Sequence, residues 1–332
     1  MGLITVTRVI RVVLFSEVNS KLGSPFLRLL QEHPQVELAA FVTSPPGKLC
    51  SYFVDDPQQV DVAAQAEKLN VRVFRPEKVN SPQSLAYLRQ LHADYFIVGN
   101  FQQIMKKELL EIPAVTSVNF HPSPLPRYAG LAPFYWMVRN GEQFGAVSAI
   151  EMTPGIDAGP LLMQKPMYLT GQETALKLRT AQEHLNVKML SELIPQLADQ
   201  SFVRTPQDES IRSYFGRPTD NDYRIDFTQN SETVCRVVRA GYRHPGAFTI
   251  GADGERLVVL SVGMAGRVCR APLERPGTVR NSGTGLFVAA SDEWLRLVSV
   301  ERNGQEVLVV DDDPSLTHGV VLGEPKSMFA IA

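Results

Sequence analysis

Two polar side chains stand at the end of an apolar run, in the stretch VNFHPSPLPRYAG at residues 118–130. Asn119 and His121 are separated by Phe120, and side chains along a β-strand alternate between its two faces. A strand here would therefore turn the amide and the imidazole to the same side. An amide N–H stabilises a developing oxyanion and an imidazole moves a proton, so the pair suits acyl transfer.

A third polar group follows in TPGIDAGPLL, residues 153–162, a glycine-punctuated loop that carries Asp157. A carboxylate beside an imidazole orients the ring and favours its charged form. Asn, His and Asp together fit acyl transfer to a nitrogen, with Asp157 positioning the imidazole or a water. Spacing alone leaves a structural alternative open, in which the first two are satisfied polar groups at a strand end and Asp157 caps a turn.

The surrounding pattern predicts the frame that holds these residues. Apolar runs and amphipathic helical segments alternate up to about residue 200, which is typical of an α/β fold with a doubly wound, mostly parallel Rossmann-like sheet. Asn119 and His121 lie at the carboxyl end of a predicted strand, 117–121, where such sheets bind ligands. Three prolines after His121 stiffen the exit loop, and Gly130 permits a tight turn.

The composition changes after residue 203. A polar segment rich in Pro and Asp predicts a linker, and the short strand-like runs beyond it predict a smaller, β-rich, barrel-like domain. We therefore expect a catalytic domain at residues 1–203, a linker at 204–222, a C-terminal domain at 223–310 and a tail at 311–332. The tail carries the acidic residues 311–313.

Bulk properties narrow the class of protein. The 332 residues are 44% apolar and 20% charged, as in a soluble globular protein large enough for two domains. With a net charge of −2, the protein has no overall positive potential that would attract nucleic acid. Only a local basic patch could bind it. Three cysteines without a CxxC pair fit a reducing compartment, so we expect a cytoplasmic protein without metal. No apolar run is long enough to predict a membrane span.

Three common nucleotide and hydrolase motifs are absent from the sequence. No GxGxxG follows the first predicted strand, where the loop reads SEVNSKLGSPF, so a dinucleotide site is not supported. Neither a Walker A pattern nor a GxSxG elbow occurs, which argues against a P-loop enzyme and a serine hydrolase.

The two polar motifs also carry a family resemblance. NFHPSPLPRYAG followed by GIDAG resembles the formyltransferases that use 10-formyltetrahydrofolate, and the order and spacing of the two motifs fit. GSPF near residue 23 and FIVGNFQQIMKKELLEIP at 96–113 are similar to that family's segments. YRIDF at 223–227 and HPGAFT at 244–249 resemble the C-terminal domain of methionyl-tRNA formyltransferase and its relatives.

The resemblance implies roles for specific residues. An acceptor amine attacks the formyl carbon, Asn119 and protonated His121 stabilise the tetrahedral oxyanion, and Asp157 keeps the ring charged and helps remove the amine proton. The backbone of one loop reads the pteridine, and a second segment contacts the folate. The implied folate-binding residues are Gln103, Ile104 and Met105 in the loop and Ser123, Pro124, Leu125 and Pro126 in the segment.

The acceptor amine is a separate question, and the sequence leaves the oligomeric state open. The loop TSPPGKLCSYFVDDPQQVD at 43–61 has one Lys and several Asp, and residues from 211 onward carry 14 Arg or Lys against 15 Asp or Glu. Because tRNA binding requires basic groups, we expect a small-molecule amine, such as an amino sugar nucleotide or a biosynthetic intermediate. Initiator tRNA, hydrolysis of the formyl donor, and a folate-binding protein without enzyme activity remain alternatives.

Overall fold

The computed structural model describes residues 8–54, 56, 58–243, 245–251, 253–266, 272–309, 316 and 318–323. The chain divides into two compact units, one made of 1–133, 144–168 and 179–215, the other of 134–143, 169–178 and 216–332. The first unit contains every candidate site residue named above. Because each unit combines several stretches of chain, this division does not test the predicted domain boundaries, which stay a prediction. The acidic residues 311–313 lie outside the described residues.

A mixed β-sheet forms the centre of the first unit. Seven strands of the described chain form it in the order β3-β2-β1-β4-β5-β7-β8, with β1 to β5 parallel and β7 and β8 antiparallel. The predicted mostly parallel sheet is therefore confirmed. The strands of this unit are β1 (Ile10–Phe15), β2 (Val36–Val42), β3 (Val73–Phe74), β4 (Tyr95–Val98), β5 (Thr116–His121), β6 (Ala129–Gly130), β7 (Phe144–Glu151), β8 (Leu161–Tyr168) and β9 (Tyr214–Phe215).

Helices cover both faces of this sheet. Val12 and Leu14 of β1 share one core with helices α1, α2 and α6, whereas Val13 and Phe15 share the other with α3 and α4. Alternate residues of one strand thus point to two apolar layers, as in a doubly wound fold. These helices are α1 (Gly23–Glu32), α2 (Val62–Lys68), α3 (Pro82–Gln90), α4 (Lys107–Leu110) and α6 (Ala175–Asp199). Helix α5 (Pro133–Arg139) belongs almost wholly to the second unit.

Strand β5 positions the predicted site, and its register follows from its apolar residues. Val118 and Phe120 are buried in the core beside α1, where the ring of Phe120 meets that of Phe26 edge-on at 4.9 Å. Burying one such side chain stabilises the fold by about 2 kcal/mol, and a one-residue slip of the strand would expose both. The alternation therefore holds Asn119 and His121 on the opposite face.

The segment predicted as a linker returns to the first unit. Strand β9 pairs in parallel with β6, and Thr205 forms an antiparallel bridge with Leu161 at the start of β8. Short 3-10 turns also occur at Ser51–Phe53 and Glu209–Ile211. These pairings hold residues 205–215 against loops that precede and follow β7.

The second unit contains an antiparallel sheet, which confirms the predicted smaller, β-rich domain. Its strands follow the order β10-β11-β14-β13-β12 within the described residues, and β15 pairs with β14. Asn230 caps α8 by accepting a hydrogen bond from the Thr233 amide, and the apolar face of α8 packs in the core of the sheet. The elements are α7 (Asp220–Tyr223), α8 (Ser231–Gly241), β10 (Ala247–Ile250), β11 (Arg256–Met264), β12 (Val279–Asn281), β13 (Leu286–Ala289), β14 (Trp294–Arg302) and β15 (Gln305–Leu308).

Two cysteines of the described chain are buried free thiols. Burial raises the pKa of Cys50 and of Cys235 to about 11, so both stay protonated at neutral pH. Cys269 lies outside the described residues. Of the helices in the described part of the chain, none combines the length and the apolar character that crossing a bilayer requires.

Candidate active site

His121 ends β5, and its ring is held from one side by a backbone carbonyl. The ring nitrogen Nε2 lies 2.9 Å from the carbonyl oxygen of Tyr128, and the residue is only 6% exposed. Because a carbonyl oxygen only accepts hydrogen bonds, Nε2 carries the proton in this contact. The ring therefore presents Nδ1 to its other side.

Asp157 occupies that other side. Its Oδ2 lies 3.7 Å from Nδ1 of His121, which is too long for a direct hydrogen bond and short enough for an ion pair when the ring holds a second proton. The same oxygen accepts a 2.8 Å hydrogen bond from the amide of Gly130. Both side chains are largely buried, at 8% and 12% exposure, so their attraction is weakly screened by water. The structure thus brings these two predicted residues together.

Asn119 lies two residues earlier on the same face of β5. It pairs in register with Val98 of β4 and with Ile150 of β7, which fixes its backbone on both sides. Its side chain is half-buried and makes no hydrogen bond to another described residue. The amide N–H groups are therefore available to a ligand at the strand end, as an oxyanion donor requires.

The segment after His121 is held by polar side chains of β7, β8 and α6. Ser148 donates to the carbonyl of Ser123 at 2.7 Å, and Gln164 donates to the carbonyl of Leu125 at 2.9 Å. Gln182 likewise donates to the carbonyl of Pro122 at 2.7 Å. Of the four residues predicted to contact folate here, Ser123, Leu125 and Pro126 are buried and Pro124 is half-buried. Their folate contacts stay a prediction.

The second predicted folate segment is a loop after β4. Ile104 exposes 76% of its apolar side chain, whereas Met105 is buried in the core and Gln103 is half-buried. Gln103 accepts a hydrogen bond from the Val79 amide at 2.9 Å, and the carbonyl of Ile104 accepts one from Asn80 at 2.7 Å. Hydrogen bonds with Val79 and Asn80 therefore hold this loop in place. Its role in pteridine binding stays a prediction.

Sequence reasoning gave no role to Tyr128, a residue that shapes this site. Tyr128 supplies the carbonyl that fixes the ring of His121, and it adopts the left-handed conformation with φ of +60°. Asp157 also lies in this region, with φ of +49°. A left-handed conformation is uncommon for Tyr and less so for Asp, and such conformations cluster at functional sites. Tyr128 lies within the NFHPSPLPRYAG motif, but only the three-dimensional contact with His121 identifies the role of its carbonyl.

Two family models match the chain over most of its length. Residues 10–194 match the model described as formyl transferase, and residues 218–312 match the model described as formyl transferase, C-terminal domain. The first match alone covers more than half of the chain. The chain belongs to the formyl transferase family. This formyltransferase is therefore a formyl-transferring enzyme with a C-terminal domain, and the predicted family is confirmed.

Sequence relatives and solved structures agree with this assignment. A methionyl-tRNA formyltransferase of Geobacter sulfurreducens is 30% identical over 92% of this chain and 94% of its own length. Among solved structures, the sugar 3N-formyl transferase WlaRD has a TM-score of 0.65 at 16% identity, covering 90% of this chain and 99% of its own. HypX from Aquifex aeolicus has a TM-score of 0.60 at 15% identity over 90% of this chain and 46% of its own. At these identities the structures establish the fold alone.

The side chains that usually bind metal ions do not cluster in the described part of the chain. Among the residues that the structure describes, no group of three or more His, Cys, Asp or Glu side chains is arranged to hold a metal ion. The candidate site of this formyltransferase is the set of Asn119, His121 and Asp157, which supply an amide, an imidazole and a carboxylate.

Proposed function

We propose that this formyltransferase moves the formyl group of 10-formyltetrahydrofolate to the amine of a small molecule, with Asn119, His121 and Asp157 as its catalytic residues. The contact of His121 with Asp157, at 3.7 Å, carries the proposal. An imidazole held between a carbonyl and a carboxylate is poised to hold a proton near a reacting group. The proposal includes a cytoplasmic location and a division into a catalytic domain at 1–203, a linker at 204–222, a C-terminal domain at 223–310 and a tail at 311–332.

Each of the three side chains has a distinct part in the proposed reaction. Transfer forms a bond from the acceptor nitrogen to the formyl carbon, breaks the bond from that carbon to the folate nitrogen, and moves one proton between the two nitrogens. Asn119 donates a hydrogen bond to the formyl oxygen as negative charge develops there. His121 holds and transfers the proton, and Asp157 keeps the ring oriented.

A folate donor fits the residues present. The free amide of Asn119 lies at the carboxyl end of a parallel strand, and the exposed apolar side chain of Ile104 lies on a loop that follows the neighbouring strand β4. Solved relatives were captured with related compounds: a Helicobacter canadensis N-formyltransferase with folinic acid, WlaRD with 5-N-formyl-THF and HypX with tetrahydrofolic acid. The backbone of residues 103–105 and the segment 123–126 would hold the pteridine and its neighbouring groups.

Paired charges favour a small acceptor over tRNA. In the loop after β2, Lys48 lies 3.2 Å from Glu77. Asp56 of the same loop lies 2.5 Å from Lys21, which precedes α1. Within the second unit, five arginines form ion pairs with acidic residues, which reduces their capacity to neutralise phosphates. These pairs are Arg236 and Arg239 with Glu232, Arg243 with Glu306, Arg256 with Asp220, and Arg280 with Glu274.

Methionyl-tRNA formyltransferase activity is the second candidate. It is favoured by the Geobacter sulfurreducens relative of that name, which is 30% identical over nearly the full length of both chains. The two candidates share the donor and the chemistry, so they differ only in the acceptor. Salt separates them, because tRNA binding weakens steeply as salt rises whereas binding of a small amine changes little.

The test supplies the purified enzyme with 10-formyltetrahydrofolate and either charged initiator tRNA or a panel of small amines that includes dTDP-3-aminofucose. We expect formylation of a small amine that changes little between low and high salt. Efficient, salt-sensitive formylation of the tRNA would favour the second candidate. Formate release at full rate without any amine would instead identify a hydrolase.

Variants test the site itself. Asn119→Ala and His121→Gln should each lower the transfer rate by roughly a hundredfold or more, since each removes a group that acts on the reacting atoms. His184→Gln is the matched control, because that histidine lies exposed on α6. Unchanged turnover in Asn119→Ala and His121→Gln would contradict the proposed site. A parent protein that binds the folate but neither transfers nor releases its formyl group would support a folate-binding protein without this chemistry.

A further inference from the structure

Residues 204–215, here called the return segment, run past both loops that support the candidate active site. One loop, 128–131, carries the carbonyl that holds His121; the other, 153–159, carries Asp157. All three stretches belong to the first unit. The polar, Pro-containing sequence of the return segment is typical of a linker. Its side chains and backbone nevertheless form hydrogen bonds with these loops.

The end of the return segment binds the first loop through four contacts. The Oγ of Ser213 accepts a hydrogen bond from the Tyr128 amide at 2.9 Å, and the carbonyl of Ser213 accepts one from the Ala129 amide at 2.9 Å. The carbonyl of Phe215 accepts the Leu131 amide at 2.8 Å. The rings of Phe215 and Tyr128 stack at 5.1 Å with 13° between their planes. Tyr128 is thus fixed at its amide and its ring, so its carbonyl stays aimed at His121.

The middle of the return segment binds the second loop. Gln207 donates its Nε2 to the carbonyl of Asp157 at 2.8 Å and to that of Gly159 at 2.6 Å. Arg212 donates Nη2 to the carbonyl of Ile156 at 2.6 Å, and its Nη1 lies 3.4 Å from the Asp157 carbonyl. Two side chains therefore hold the backbone on both sides of the catalytic carboxylate.

We propose that the return segment positions the catalytic groups, with Ser213 acting on His121 through Tyr128, and with Gln207 and Arg212 acting on Asp157. This rests on the proposed function, which gives His121 and Asp157 their roles. None of the three touches the reacting atoms, so they are positioning residues. Formyl transfer depends on placing the imidazole and carboxylate within a fraction of an ångström, because a displacement of about 1 Å costs about a hundredfold in rate.

Backbone strain gives the physical reason that such support is needed. Tyr128 and Asp157 both adopt left-handed conformations, with φ of +60° and +49°. Such conformations cost about 1–3 kcal/mol each and persist only where surrounding contacts hold them. Without the return segment the two loops would relax toward ordinary backbone angles and carry the carbonyl and the carboxylate away from the ring.

Matched substitutions separate positioning from general effects on the segment. Ser213→Ala removes the hydroxyl that accepts the Tyr128 amide, and Ser210→Ala, three residues earlier, removes one that bonds only exposed Asp208. We expect Ser213→Ala to lower kcat about tenfold with KM for the formyl donor nearly unchanged, since only the catalytic geometry loosens. Ser210→Ala should match the parent enzyme.

A second pair tests the support of Asp157. Arg212→Gln removes the contacts to the 153–159 loop, whereas Arg204→Gln removes an exposed ion pair with Glu151 at the end of β7. Both changes remove one guanidinium from the same segment. We expect roughly a tenfold or larger loss of kcat from Arg212→Gln and less than about a twofold change from Arg204→Gln.

Gln207→Glu adds a further measurement, the pH dependence of the rate relative to the parent, which a purely structural role would leave unchanged. When ionised, the new carboxylate faces two carbonyl oxygens and repels them; when protonated, it donates again to one of them. Because the facing carbonyl oxygens favour the neutral carboxyl, the pKa of the introduced Glu should lie above its usual value of about 4.3. The rate of this variant relative to the parent should therefore recover by up to about tenfold as pH falls from about 8 to about 5. A relative rate that is independent of pH would contradict the positioning role of Gln207.

Nitrogen NMR of the His121 ring gives a test that does not depend on turnover. The ring signals are assigned by their loss in His121→Gln, and they report which nitrogen holds the proton. Ser213→Ala should shift the Nε2 signal, and Ser210→Ala and Arg204→Gln should leave it in place. If Ser213→Ala and Arg212→Gln match their controls in both kcat and ring signals, the proposal is wrong. If instead His121→Gln keeps full turnover, the proposed function fails. The His121 ring signals of the parent, Ser213→Ala and Arg212→Gln would still show whether the return segment positions the ring.

Discussion

Nε2 of His121 lies 2.9 Å from the carbonyl oxygen of Tyr128, and this contact determines which ring nitrogen faces the carboxylate of Asp157. With its proton committed to that carbonyl, the ring turns Nδ1 toward Oδ2 of Asp157 at 3.7 Å. The two partners of the imidazole come from different loops, so the chemistry depends on the backbone of both. The consequences can be tested one group at a time.

Asp157→Asn should separate the charge of this residue from its role as an anchor. The side-chain oxygen of Asn can still accept the 2.8 Å hydrogen bond from the Gly130 amide, so the loop keeps its position. The negative charge opposite His121 is lost. We expect kcat to fall about a hundredfold with little change in Tm, measured by initial rates of formyl transfer and by thermal unfolding.

Asp61→Asn is the control for this change. Asp61 is exposed and caps α2 by accepting a hydrogen bond from the Ala64 amide, a role that Asn also performs. Its rate should equal that of the parent enzyme. A variant at Asp157 that retains more than about a third of the parent kcat would show that the carboxylate charge is not required.

Asn80→Ala should weaken donor binding without affecting the chemical step. Asn80 donates to the carbonyl of Ile104 at 2.7 Å and accepts the Lys106 amide at 2.8 Å, so it holds both ends of the predicted pteridine-reading loop. We expect KM for the formyl donor to rise about tenfold while kcat stays within about twofold. Asn80→Asp keeps the acceptor for Lys106, but its carboxylate faces and repels the Ile104 carbonyl oxygen, so its KM should rise at least as much as that of Asn80→Ala. A fall in kcat alone would contradict this role.

The local parts of this architecture could be predicted from the sequence. The alternation of Val118, Asn119, Phe120 and His121 specifies the faces of β5, because the period of a strand is set by neighbouring residues. The two polar motifs and the order of helices and strands are also local, and the family they indicate is confirmed. Asp157 was found through its motif, although no pattern gives its distance from the ring.

The supports of the site could not be predicted, because they depend on contacts between distant residues. Ser213 lies 85 residues from Tyr128, and Arg212 lies 55 residues from Asp157. Polar side chains in a Pro-containing segment are equally compatible with a solvated linker, since their hydrogen bonds can go to water. The short strands β12 and β15 also depend on distant contacts, since Val279–Asn281 pairs with β13 and Gln305–Leu308 pairs with β14.

Glu183 should make the stability of the protein depend on pH. Burial raises the pKa of Glu183 to about 7, although Arg179, at 3.5 Å, opposes the shift. Between its usual value of 4.5 and about 7, the folded protein holds a proton that the unfolded chain has released. Stability contributed by this group is therefore present below that window, falls as pH rises through it and levels off above it.

Glu183→Gln imitates the protonated carboxyl and should remove this dependence. We expect the parent to lose on the order of 2 kcal/mol of unfolding free energy between about pH 4.5 and pH 7.5, and the variant to lose clearly less, as measured by urea denaturation. Glu67→Gln, at an exposed position on α2, is the control and should follow the parent. Parallel curves for the parent and Glu183→Gln would mean that another group causes any pH dependence.

Gly130→Ala should break the contact between the site and the return segment. Gly130 has φ of +98°, and an added Cβ would overlap the Phe215 carbonyl oxygen and come within 2.8 Å of the Tyr214 ring. Gly47→Ala is the matched control, because Gly47 has φ of +81° with no described atom within 4 Å, so only backbone strain of about 1 kcal/mol applies. We expect Gly130→Ala to destabilise the protein by about 2 kcal/mol more than the control in urea denaturation, since β6 and β9 must separate. It should also lower kcat, because the Gly130 amide holds Asp157. Equal losses of stability would show that strain alone accounts for the effect and that the return segment does not press on this loop.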